Sequence, residues 1–113
     1  MEAFPRRGEI YWINLPQEDY ARPAVVVSVD HRNRGANDII VVPLSTSAGA
    51  MGTHVTVEAG QAGLRRTSTA KSEQLVTVKK SWIVEGPLGG TIDSATMHAI
   101  ERALQRAVGI HVE

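Results

Sequence analysis

Two apolar runs carry, at their ends, side chains that suit a phosphodiester. Arg22-Pro23 heads the run Ala24-Val25-Val26-Val27-Ser28, and Ile39-Ile40-Val41-Val42-Pro43-Leu44 ends in Ser45-Thr46-Ser47. If both runs are strands, a cation and a hydroxyl cluster come to the ends of neighbouring strands. A guanidinium offers its planar fork to two phosphate oxygens, and hydroxyls can hydrogen-bond another. Further along, Arg65, Arg66, Lys71, Lys79 and Lys80 share the stretch from Gly60 to Val84 with Glu73 as its one carboxylate. That stretch reads either as a basic face for a polyanion or as a solvated loop, and charge alone does not separate the two.

The remaining reactive side chains are less organised. His31, His54, His98 and His111 fall on different elements without metal-ligand spacing, so no metal site is expected. His54, at the start of a strand, is the best placed of them as a base. Glu9, Glu18, Asp19 and Glu73 are carboxylates able to accept a proton, with Glu73 read first as a structural partner for Lys71 or an arginine. Tyr11 and Trp12 could stack a nucleobase, a contact worth roughly 1–3 kcal/mol. Aromatic residues make up only 4% of the chain, which leaves no extended stacking platform, and Trp12 reads first as a core residue.

Composition narrows the setting. At 113 residues the chain is expected to form one domain, residues 1–113, burying roughly 65% of its unfolded surface. Apolar content of 42% and charged content of 21% are ordinary for a globular protein. Twelve basic residues balance twelve acidic ones, which argues against coating duplex nucleic acid by bulk charge. Cysteine is absent, so disulfides and thiolate metal sites are excluded. No apolar run approaches the roughly 20 residues of a membrane span. The N-terminus lacks the apolar core of a signal peptide. A cytoplasmic location with no membrane partner is therefore expected.

The elements that must position these residues are mostly strands. Arg7 to Leu15 alternates with apolar residues on both faces, as in a small barrel. Ala24–Val29 and Ile39–Leu44 read as central strands, with Pro23 at the head of one, where a sheet tolerates proline. His31–Asp38 reads as a polar loop, and Ser45–Thr53 as another, small-residue and glycine-rich. His54–Val57 is a short strand, Thr69–Val78 a longer alternating one, and Ile83–Leu88 a last short one. The period then changes: Met97, Ile100, Leu104, Ala107 and Val108 form one face of an amphipathic helix. Thr91 or Asp93 caps its start and Gly109 marks its stop. The expected fold is mainly β, a small antiparallel barrel closed by a C-terminal helix.

The order of these pieces resembles the MazF/PemK toxin family. Arg7-Gly8-Glu9-Ile10-Tyr11-Trp12, then Arg22-Pro23-Ala24-Val25-Val26-Val27-Ser28, resembles its opening signature. Val42-Pro43-Leu44-Ser45-Thr46-Ser47, Thr53-His54-Val55 and Glu73-Gln74-Leu75-Val76-Thr77-Val78 resemble its later strands in order. The resemblance runs from about Arg7 to Ile110. It implies an SH3-like barrel of the MazF/PemK/CcdB type that forms a homodimer. It implies cleavage of single-stranded RNA at short sequences without a metal or other cofactor. It also implies a MazE-like antitoxin that silences the toxin with a disordered C-terminal segment. The family's principal catalytic arginine corresponds to Arg22, and its strand-end threonine to Ser45, with Thr46 adjacent. Arg65, Arg66 and Lys71 are then candidates for steering the RNA backbone.

Attack by a ribose 2′-hydroxyl needs a proton acceptor, a proton donor and positive charge on the developing phosphorane. Arg22 answers the last need; neither it nor Ser45 and Thr46 titrates near neutrality. The chain also departs from the family's pattern. Pro16–Ala21 is shorter than the usual Gly-Ser-Glu-Gln loop, and Thr67 stands where an aspartate is common. Two alternatives therefore accompany the ribonuclease. One is a CcdB-like gyrase-binding toxin, although Gly109-Ile110-His111-Val112-Glu113 lacks the Trp-Gly-Ile-type terminus that such a toxin would use. The other is a catalytically silent MazF-like protein that binds an antitoxin.

Overall fold

β3, Asp38–Ser45, is the longest strand and organises the sheet around it. The computed structural model describes residues 3–111; Val112 and Glu113, part of the terminus weighed above, lie outside the described residues. The other strands are β1 (Ile10–Ile13), β2 (Arg22–Val26), β4 (His54–Val57), β5 (Ser68–Lys71), β6 (Val76–Lys79) and β7 (Ile83–Glu85). Every pairing is antiparallel, in the order β4-β5-β3-β2-β1-β7, with β6 also on β3. Among the described residues two α-helices complete the fold, α1 (Asp30–Gly35) and α2 (Ser94–Ala107).

The period-2 alternation sends side chains of the central strands to opposite faces, and both faces are buried. Ile10, Val25, Val42 and Leu44 join Ile100 and Met97 of α2 in one core cluster. Tyr11, Ile13, Val26, Ile39, Val41 and Val78 form the other. Two covered faces explain why the runs read as almost continuously apolar. The α2 stripe holds over its first turns only: Met97, Ile100 and Ala103 are buried and Leu104 packs against the core. Ala107 and Val108, expected on the same face, are exposed because the helix end runs past the sheet. Ile100→Ala would cost on the order of 2–5 kcal/mol. Asp93 is the cap, its Oδ1 accepting from the Thr96 amide at 2.7 Å. Gly109 ends the helix at φ +85°, a conformation that glycine adopts without strain.

Two further expectations need correcting. The polar segment after β2 contains a short helix, α1, where the turn-forming residues read as a loop. Asn33 anchors this local structure: it is fully buried, donates to the Ser28 carbonyl at 2.8 Å and accepts from Ser28 Oγ at 2.5 Å. The same Ser28 oxygen accepts from the Ile40 amide at 2.9 Å, tying α1 to β3. The alternating run Thr69–Val78 is likewise two strands, broken by a 3-10 turn at Ser72–Gln74. β5 pairs with the end of β3 and β6 with its beginning. The turn bends the run to follow β3 around the corner of the sheet, which a period-2 pattern cannot reveal.

Candidate active site

A cavity of about 800 Å³ opens where β2 and β3 reach the same rim. Arg22 and Pro23 come from β2, and Ser45, Thr46 and Ser47 from the end of β3 and the loop beyond. The opposite wall is Gly63–Arg66, Ser68 and Lys71, and Glu85, Pro87 and Leu88 close the cavity from the β7 side. Arg22, Ser45, Thr46, Arg65, Arg66 and Lys71 thus line one space. Gly63 permits a close approach of the walls: at φ +79°, a Cβ there would lie 2.4 Å from the Leu88 carbonyl carbon.

Arg22 is half-buried at this rim. Its Nε donates to Glu18 Oε2 at 2.5 Å and its Nη2 to the Tyr20 hydroxyl at 2.9 Å. The guanidinium also lies 5.3 Å from the centre of the Tyr20 ring. The Glu18 hydrogen bond raises the Arg22 pKa above its already high value, against a smaller opposing effect of burial. The group is a permanent cation and no proton shuttle. Its remaining N–H groups have no partner among the described residues and are available to phosphate oxygens.

Ser45 Oγ accepts from the Ser47 amide at 3.2 Å and lies 3.4 Å from Ser47 Oγ, a local turn that sets the hydroxyls side by side. Arg65 and Arg66 are exposed. Ser68 Oγ donates to the Arg66 carbonyl at 2.8 Å and fixes the backbone behind them. Thr67 is spent elsewhere, accepting from the Ala59 amide at 3.1 Å.

Of the carboxylates read as proton acceptors, Glu18 alone touches Arg22. Glu9 Oε1 accepts from the Arg6 amide and the Tyr11 hydroxyl, each at 2.7 Å. Glu73 is bonded to His54 and Thr53, in place of the expected Lys71 or arginine. Neither Glu73 nor His54 lines the cavity. Trp12, read first as a core residue, is half-buried and lines the cavity, because its side chain alternates away from Tyr11 and Ile13. Tyr20, 60% exposed, and Glu85 are cavity residues that the sequence reading missed. For Tyr20 a signal exists: an aromatic in a polar loop two positions before Arg22. Among the described residues no group of three His, Cys, Asp or Glu side chains is placed to hold a metal ion, and no helix is long and apolar enough to cross a membrane.

Residues 6–108 match the family of PemK-like, MazF-like toxins of type II toxin–antitoxin systems. The chain belongs to this family. It is 30% identical over 108 residues to the probable endoribonuclease MazF5 of Mycobacterium tuberculosis, covering 96% of both chains. Among solved structures it is similar to an endoribonuclease in complex with its cognate antitoxin from a mycobacterial species. That match has 28% identity, a TM-score of 0.82 and coverage of 96% of this chain and 99% of that one. A MazE–MazF structure from Deinococcus radiodurans, at 16% identity and TM-score 0.77, with 97% of this chain and 100% of that one covered, shares the fold. The antiparallel sheet with its C-terminal helix is therefore the MazF-like fold, as the order of the strands implied.

Proposed function

We propose that this MazF-like chain is the endoribonuclease toxin of a type II pair, one toxin domain that cuts single-stranded mRNA in the cytoplasm without a metal. The supporting observation is that one cavity is lined by Arg22, Ser45, Thr46, Arg65, Arg66 and Lys71. Arg22 binds the scissile phosphate and stabilises charge on the phosphorane. Ser45 and Thr46 hydrogen-bond a non-bridging oxygen. Arg65, Arg66 and Lys71 hold the flanking backbone. Glu18, at the Arg22 guanidinium, takes the 2′-hydroxyl proton as that oxygen attacks phosphorus. The bond to the 5′-oxygen breaks, leaving a 2′,3′-cyclic phosphate and, once protonated, a 5′-hydroxyl. The toxin works as a homodimer. A MazE-like antitoxin silences it by laying an acidic, disordered C-terminal segment along the basic cavity.

The test is cleavage of a long single-stranded RNA in EDTA by the purified chain beside Arg22→Ala. Discrete EDTA-resistant cuts that vanish in the variant are expected. No cutting by the parent chain would overturn the ribonuclease. Sizing at micromolar concentration that shows only a 12 kDa species would overturn the dimer.

A further inference from the structure

Ser45 and Thr46 stand at the root of a loop, residues 46–53, that has little packing of its own. Ala48, Gly49, Ala50 and Gly52 are small, a Cβ on Gly49 or Gly52 would meet nothing within 4 Å, and Met51 is 61% exposed. Polar bonds at its far end hold the loop instead. His54 Nδ1 lies 2.6 Å from the Gly49 carbonyl oxygen, and Nε2 lies 3.1 Å from Glu73 Oε2. The other Glu73 oxygen accepts from Thr53 Oγ1 at 2.8 Å. Around them, the His54 amide donates to the Met51 carbonyl and the Ser72 amide to the Thr53 carbonyl, each at 3.0 Å.

The two oxygens facing the imidazole decide its charge. A backbone carbonyl and a carboxylate only accept hydrogen bonds, whereas a neutral imidazole has one donor nitrogen and one acceptor nitrogen. The neutral ring would therefore turn a lone pair on one of the two oxygens. The imidazolium donates to both. Its side chain is 7% exposed, so water does not readily replace a lost bond.

We propose that His54 is a positioning residue held as an imidazolium, clasping the 46–53 loop to the Ser72–Gln74 turn and so keeping Thr46 and Ser47, beyond the β3–β5 pairing that holds Ser45, in the cavity. Losing its proton frees that wall. The clasp as a device of catalysis rests on the ribonuclease reading above; as a structural device it does not.

Charges of both signs surround the ring, and of these the carboxylate favours the imidazolium while Lys71 opposes it. Glu73 faces it from the Ser72–Gln74 turn, and Lys71 opposes it in register on β5. α2, packed on β4 and on that turn, brings Arg102 and Arg106, the latter donating to the Gly52 carbonyl at 3.5 Å. The Gly49 carbonyl and then Glu73 raise the His54 pKa above its usual value, against burial and Lys71. Burial pulls Glu73 up, but its bonds from Thr53, its own amide and His54 together hold it below its usual value. Because the imidazole pKa is raised in the fold, the clasp's stabilisation is complete below the ordinary value of about 6.5 and is lost as pH rises through the folded one.

Two measurements test the clasp. The first needs no activity: nitrogen-15 NMR of the His54 ring, with the Gly49 and Gly52 amides followed through the same titration. Both ring nitrogens should be protonated at about pH 6, and both amides should shift as the ring loses its proton. A neutral ring at that pH, or unmoved amides, overturns the proposal. The second is the pH profile of RNA cleavage beside Glu73→Gln. The carboxamide oxygen keeps the Thr53 bond, and its NH₂ donates to a neutral imidazole, so the loop stays held without the proton. Wild-type kcat should fall about tenfold through the His54 titration, and Glu73→Gln should flatten that fall. Identical profiles overturn the role in positioning. RNA left uncut at every pH by both proteins would refute the ribonuclease, while the NMR titration would still decide the clasp.

Discussion

Arg7 and Arg22 head the two pieces of the same opening signature, and each is paired with a glutamate. Their exposures are nearly equal, 31% and 30% of the side chain. Their partners differ. Arg7 Nε donates to the Val27 carbonyl at 2.9 Å and its Nη2 to Glu101 at 2.8 Å, while its amide bonds Asp30 at 2.7 Å. Those bonds join β1's approach, the end of β2 and α2. Arg22 bonds only Glu18 and Tyr20, four and two residues back in its own loop. Its remaining N–H groups can take a phosphate without disturbing any distant element. The lesson is that an arginine–carboxylate pair is neither structural nor functional in itself. What separates the two is whether the partners are distant elements or a local loop at a cavity.

Arg22→Ala tests the cavity side of that contrast with the largest expected effect. Loss of the charge that faces the phosphorane should lower RNA cleavage by about 10²–10³-fold. The thermal midpoint should stay within about 3 °C of the parent's, because no distant element loses a bond. Retained cleavage would mean that Arg22 is as structural as Arg7. Glu18→Gln comes next. If Glu18 takes the 2′-hydroxyl proton, cleavage should fall by about 10²-fold. Binding of an RNA with a 2′-deoxy scissile nucleotide should hold or tighten, since a negative charge leaves the phosphate site. Unchanged cleavage would reduce Glu18 to a local ion pair. Arg65→Ala with Arg66→Ala should act more gently, on affinity alone. For each phosphate that the variant no longer neutralises, the slope of log affinity against log salt should flatten by about 0.7 for a single strand. An unchanged slope in filter-binding titrations would return these arginines to the solvated loop.

The same contrast explains what could be read in advance. Arg22, Ser45 and Thr46 were legible because strand ends are one-dimensional features: an apolar run stops and a polar side chain follows. Arg65, Arg66 and Lys71 stood out by charge, and the cavity gathers them because β5 pairs with the end of β3. The α1 helix was hidden, since it is held by the buried bonds of its Asn33 with Ser28 and not by the helix propensity of its residues. The break at Ser72–Gln74 was hidden because the alternation on either side stays in phase with two different halves of β3. His54 read as a possible base and Glu73 as a partner of Lys71. Their mutual bond joins residues 19 apart in the chain, a pairing that only the fold creates. Trp12 misled for a simpler reason: a large aromatic between buried neighbours reads as core, although alternation turns it to the cavity.

Arg7→Ala tests the other side of the comparison and should have the smallest effect on catalysis. The cavity is not lined by Arg7, so kcat of the folded protein should match the parent's within about twofold. Stability should carry the change. The bond to the Val27 carbonyl and the half-exposed pair with Glu101 together contribute on the order of 1–2 kcal/mol, read as a lower midpoint in urea at unchanged slope. Arg7→Lys sharpens the point. An ammonium keeps the charge facing Glu101 but lacks the fork that reaches the Val27 carbonyl at the same time. If the lysine variant is as unstable as the alanine one, the Val27 bond holds the end of β2 and the ion pair adds little. If it recovers most of the loss, the long-range charge pair is the tie. In both outcomes RNA cleavage stays with Arg22. A fall in kcat that tracks the loss of stability would show that the cavity depends on the distant ties of Arg7 after all, and that the two arginines are not independent.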